Sequence, residues 1–160
     1  MTMSQPAKWP TATLDPVRRL RVLAATLPGV HLEERDVEVP FEQLWEFLTD
    51  LEHNVPRFDT LVTKLRVTHR SAERLRVVAT TSQHLSIRLD VDLEPGFMWM
   101  QAPGRAYVVG IGAAARGSGG SRYAHLEGIP NRVGQRLQHR TTRHVQADVE
   151  NLVRLLDRDV

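Results

Sequence analysis

The chain contains no cysteine, and this excludes disulfides, thiolate zinc sites, iron–sulfur clusters and cysteine nucleophiles. Long apolar runs are missing too. None approaches the ~20 residues needed to cross a bilayer, and the opening MTMSQPAKWP lacks the apolar core of a secretory signal. A cytoplasmic protein with no integral membrane segment is therefore expected. Lysine is reduced to Lys8 and Lys64, and aromatic residues make up 6% of the chain. A strong charge of one sign is also absent: the pI is about 9.5, but the formal net charge is only +2 and basic residues are scattered among acidic ones. That pattern describes a solvated surface, and no nucleic-acid partner is expected.

What is present is enough apolar material for one core. With 160 residues, 41% of them hydrophobic and 25% charged, the composition is that of a globular chain of single-domain size. No internal repeat is visible. Residues 1–13 are polar and carry prolines, so they read as a flexible N-terminus. A helix is expected over 14–29, capped by Asp15 and started by Pro16, with Val17, Leu20, Ala24 and Leu27 at helical spacing before Pro28-Gly29. It should dock on the outside of the domain that occupies 30–160.

HLEERDVEVP reads as a first strand, and FEQLWEFLTDLEH as a helix with Phe41, Leu44, Trp45 and Leu48 on its face; Pro56 should interrupt it before a second short piece, PRFDTLV. From residue 61 the period becomes two. Leu65 and Val67, then Leu75, Val77 and Ala79, then Leu85 to Leu93 at every second position, alternate with charged or polar residues. FMWMQ, YVVGIGAAA and RYAHLEGIP follow, separated by Pro95-Gly96, Pro103-Gly104 and RGSGGS. Turns this short forbid parallel crossovers, so the strands form an antiparallel meander with one wet face. The cover for the other face is the segment from about Gln135 to Asp157, where Leu137, Thr141, Val145, Asp148 or Val149, Leu152 and Leu156 form one helical stripe.

The order strand, two helices, meander and long final helix resembles the START-like, or SRPBCC, superfamily, which includes polyketide cyclase/dehydrase-like proteins. The resemblance is carried by VEVPFEQLWEFLTDLEHNVPRFD, RYAHLEGIP and HVQADVENLVRLL and spans about residues 31–158. It implies an α+β helix-grip fold: a curved antiparallel sheet of about seven strands wrapped around the C-terminal helix, with the N-terminal helix as an addition. It also implies an opening between that helix and the loops joining strands three to four and five to six.

A bent sheet and a helix across its mouth cannot approach closely everywhere, so a cavity is expected unless large side chains fill it. Gly110, Gly112 and the alanines after them are read as thinning the inner wall; the alternative is that they let a helix pack tightly on the strand. The candidate ligand-binding residues are Trp45, Phe58, Leu65, Val77, Leu89, Trp99, Tyr107, Ile111, His144, Val145, Asp148, Val149 and Leu152.

Chemistry is sparse. Gly110 to Ala115 fits GxGxxA, but the chain then turns into another strand where a dinucleotide site needs a helix, and no aspartate follows until Asp148. His125 and Glu127 share one strand face and form a possible acid–base pair. Ala124, Leu126 and Gly128 look more like a cavity wall, which would turn the pair outward. His139 and His144 are five apart, on different sides of a helix, so no metal is expected, and no cofactor. His144 and Asp148 read first as two exposed polar residues; the alternative is a buried pair in which His144 orients a polar ligand atom. Arg88, Asp90 and Asp92 belong to the outer face; Asp50, Glu52 and His53 lie near a cavity end in such folds.

The leading expectation is binding or transport of a hydrophobic small molecule (a lipid, quinone or polyketide-like aromatic) by a monomer or homodimer, with no catalytic set assigned. The rival is an aromatase/cyclase or dehydratase acting on a polyketide, using His144, His125, Tyr107 or Arg88. A third is an interaction protein using a basic edge of Arg18, Arg19 and Arg21.

Overall fold

The computed structural model describes residues 14–158; the segment read as a flexible N-terminus lies outside them. Asp15 opens α1 (Pro16–Thr26), its carboxylate accepting from the Val17 and Arg18 backbone N–H groups, with Pro16 at the first helical position. β1 (Val30–Val37) leads to α2 (Phe41–Thr49) and α3 (Leu51–Phe58). β2 (Val62–Arg70), β3 (Arg74–Thr81), β4 (Ser86–Glu94), β5 (Phe97–Gln101), β6 (Val108–Arg116) and β7 (Gly120–Gly128) follow. A short α4 (Arg132–Arg136) precedes α5 (Gln138–Arg158).

The seven strands form one antiparallel sheet in the order β1-β7-β6-β5-β4-β3-β2. Short turns tie β2 through β7 into a meander, and β1 adds to β7 with Glu33 opposite His125. The sheet grips α5, whose Val145, Asp148, Val149, Leu152 and Leu156 are buried as the helical stripe requires. This is the α+β helix-grip arrangement.

The helix break falls at Asp50, not at Pro56, which sits inside α3. Proline there removes only the N–H that would reach the carbonyl of Glu52, an exposed residue of a two-turn helix, so the helix survives it.

A larger correction concerns the sheet's outer face. The expectation of one wet face holds for β2–β4, where Arg76 pairs with Asp90 and Arg74 with Asp92. It fails at β5–β7. There α1 lies on the convex side, and Val17, Leu20, Phe97, Val108, Ala124 and Leu126 form a second core. Gly110 and Gly112 face this helix, not the interior: a Cβ on either would stand under 3.0 Å from a Leu20 methyl. The glycines are there for close helix packing, through α1. They do not hollow the inner wall.

Candidate functional site

Because β7 alternates, assigning Ala124 and Leu126 to α1 turns Tyr123, His125 and Glu127 inward, the reverse of the orientation favoured from sequence. His125 and Glu127 are each 2% exposed. They meet α5 across the interior, where the i,i+4 pair His144 and Asp148 points back at the sheet.

The protons in this cluster have one consistent arrangement. Burial, with His144 nearby, pushes His125 down to about 3, so its imidazole is neutral, while burial holds the Tyr123 phenol well above its usual range and protonated. The Tyr123 hydroxyl therefore donates to His125 Nδ1 at 3.0 Å, and His125 Nε2–H donates to Glu127 Oε2 at 2.8 Å. Glu127 Oε1 accepts from the Tyr107 hydroxyl and from His144 Nε2, the latter at 3.0 Å. Burial acts to lower His144, but Glu127, Asp148 and Asp59 outweigh it and carry the imidazole up to about 9. It is a cation at neutral pH, and its Nδ1–H meets Thr60 Oγ1 at 2.8 Å. Burial raises Glu127 above the ordinary carboxylate range despite the pull of His144. Asp148 is pushed up to about 7, by burial first and then by the like charge of Asp59. Its Oδ1 accepts from the Thr60 backbone N–H at 2.8 Å, whereas its Oδ2 has no hydrogen-bond partner.

This cluster closes one side of a pocket of about 180 Å³ between α2, α3, α5 and the sheet. Its wall is otherwise apolar, with Leu51, Val55, Phe58, Leu65, Ile87, Leu89, Met100 and Ile111; Asp59, Thr81, Tyr107, His125, Glu127 and His144 supply the polar groups. Of the residues expected from sequence, the structure places Phe58, Leu65, Leu89, Tyr107, Ile111 and His144 on this wall. Val77, Val145, Val149 and Leu152 are buried core behind it, and Asp148 touches it through His144. Trp45 is partly buried and stacks on Phe41. Trp99 is misassigned: it is on the convex face, packed with the α1 cluster and beside a wider hollow of about 550 Å³ whose rim carries the Arg19–Glu94 ion pair. Its position on β5 puts it on the same side as Gly110, its cross-strand partner. Arg88 is exposed on the outer face, which removes it from the set of groups able to reach the cavity.

Sequence reasoning missed the inward turn of Glu127. The available signal was α1 itself, since an apolar helix outside a sheet needs an apolar patch beneath it.

Solved structures with this architecture include the Zhui aromatase/cyclase from Streptomyces sp. R1128, at 12% identity and TM-score 0.66 over 81% of this chain and 93% of that one. A START superfamily protein from Mycobacterium smegmatis aligns at 13% identity and TM-score 0.57 over 79% and 98% of the two chains. The fold is START-like. A further match is the XoxI protein from Bacillus cereus, at 10% identity and TM-score 0.65, covering 82% of this chain and 98% of that one. No family profile and no curated protein sequence matches the chain. No helix among the described residues is long and apolar enough to cross a membrane.

Proposed function

We propose that the protein binds a hydrophobic small molecule, a lipid, quinone or polyketide-like aromatic, inside the sheet, with a polar atom of the guest at the Tyr107–Glu127–His144 end. One observation carries this reading: an apolar cavity that runs directly onto a buried, charged hydrogen-bond cluster. Apolar walls supply the driving force for a guest, and a few convergent polar groups fix its orientation. The START-like architecture supports the same reading. Native mass spectrometry of the protein, with titration of a fluorescent hydrophobic dye, tests it. Binding of one dye per chain that is lost in Ile111→Trp, a substitution that fills the cavity, is the expected result; dye binding unchanged in a folded Ile111→Trp protein sinks the proposal.

A second reading is favoured by the same cluster. Glu127 receives protons from Tyr107, His125 and His144, so a guest carbonyl at this end would meet both a proton donor and a buried carboxylate, as acid–base chemistry requires. An aromatase/cyclase or dehydratase acting on a polyketide fits that arrangement, and the solved structures of this fold include an aromatase/cyclase. Incubation with a poly-β-ketone surrogate separates the readings: turnover abolished by Glu127→Gln with dye binding retained favours the enzyme, and no turnover by the intact protein favours the binder.

A further inference from the structure

At the polar end of the cavity one imidazole nitrogen stands between two carboxyl groups. His144 Nε2 carries a single proton, directed at Glu127 Oε1 at 3.0 Å. Asp148 Oδ2 lies 3.1 Å from the same nitrogen and receives nothing. Asp148 is fully buried, and a buried polar oxygen without a hydrogen-bond partner is destabilising unless something meets it. The charged groups acting on Glu127, His144 and Asp148 include one another and Asp59.

We propose that this end of the cavity is a divalent transition-metal site, with His144 Nε2 and Asp148 Oδ2 of α5 as its primary ligands and Asp59 and Glu127 closing it from the α3–β2 loop and from β7. A proton on Nε2 serves one acceptor. An ion in its place serves every oxygen around it.

The geometry suits this substitution. One ligand atom each of Asp59, His144 and Asp148 lies within 4.8 Å of the other two, and the same holds for His125, Glu127 and Asp148. Donors about 2.1 Å from a common ion stand roughly 3.0 Å apart in octahedral and roughly 3.4 Å apart in tetrahedral coordination. The separations of His144 Nε2 from Asp148 Oδ2, 3.1 Å, and from Glu127 Oε1, 3.0 Å, are close to these values. The i,i+4 spacing puts both primary ligands on one helix face. The outer contacts also match a metal site: Thr60 holds His144 by Nδ1 and Asp148 by its other oxygen, which aims Nε2 and Oδ2 at the same space. Mixed imidazole and carboxylate donors without sulfur suit zinc, cobalt, manganese or iron over magnesium. The histidine spacing in the sequence ruled out His139 as a partner, and it is exposed; the partners come instead from elements remote in the chain.

The test needs no organic guest, so it stands apart from the ligand proposal. Untagged full-length protein, stripped with chelator, is titrated with Zn²⁺ by calorimetry and with Co²⁺ followed by its visible absorption. One ion per chain is expected, with excess Mg²⁺ failing to displace it. Asp148→Asn and His144→Gln should each weaken binding at least about tenfold, and Glu94→Gln on the outer surface should not. Asp59→Asn covers the case in which the buried variants misfold, because asparagine keeps the Oδ1 acceptor that the Leu61 and Val62 N–H groups use; it too should weaken binding. No binding at millimolar Zn²⁺ or Co²⁺, or an affinity unchanged in folded Asp148→Asn or Asp59→Asn, overturns the proposal.

Discussion

Leu20 of α1 sits directly over Gly110 of β6, so close that a Cβ on the glycine would stand 2.6 Å from Leu20 Cδ2. Leu20 is fully buried there, and the contact fixes α1 to the sheet. Gly110→Ala should therefore destabilise the protein by about 1–3 kcal/mol through overpacking, read as a lower thermal midpoint. Gly119→Ala, with nothing within 4 Å of its Cβ, should leave the midpoint nearly unchanged. Adding Leu20→Ala to Gly110→Ala should cost less than the two single changes together, because each relieves the other.

Leu152 anchors α5 in the grip of the sheet and has no exposed surface. Leu152→Ala should lower stability by about 2–5 kcal/mol, as truncation of a buried leucine does, measured by urea unfolding at neutral pH.

His125 gives the acid limb of stability a defined direction. Its folded-state value is about 3 against an ordinary 6.5. Between those two values the unfolded chain binds a proton that the folded protein refuses. This contribution is whole above ~6.5 and is lost as pH falls toward 3, by a few kcal/mol in all at ~1.4 kcal/mol per unit. Asp148, raised to about 7, works oppositely over part of that window, because its folded form holds the proton more tightly. The discriminating quantity is thus a difference: His125→Gln should show a shallower loss of urea midpoint from pH 6.5 to 3 than the parent.

Glu127 is the foremost group holding His144 in its charged form. In metal-free Glu127→Gln, the His144 imidazole should titrate below its value of about 9 in the parent, followed by NMR of the ring protons. A titration that does not move would show that the ion pair is absent in solution.

The parts legible in the sequence were those in which a single side of an element is buried. α5 announced Val145, Val149 and Leu152 by spacing alone, and Asp15 with Pro16 fixed the start of α1. The meander followed from its turns. β6 and β7 resisted reading because both of their faces are dry: with apolar Ala124 and Leu126 on one side and His125 and Glu127 on the other, pattern favours the apolar set as interior. The polar set is interior because its members satisfy one another, and the contacts that do so reach across to Tyr107 and His144. No local pattern encodes such distances. The same inversion explains why Trp99, one strand away, went to the wrong side.

The double-sided burial of β7 also governs alignment. A slip of one residue against its neighbours would thrust the imidazole of His125 and the carboxylate of Glu127 under the leucine-lined helix and drop Ala124 and Leu126 among charges, injuring two compartments at once. Strand β7 is thereby locked in place like a key cut on both edges, and the pocket on its inner face inherits its shape from a helix it never touches.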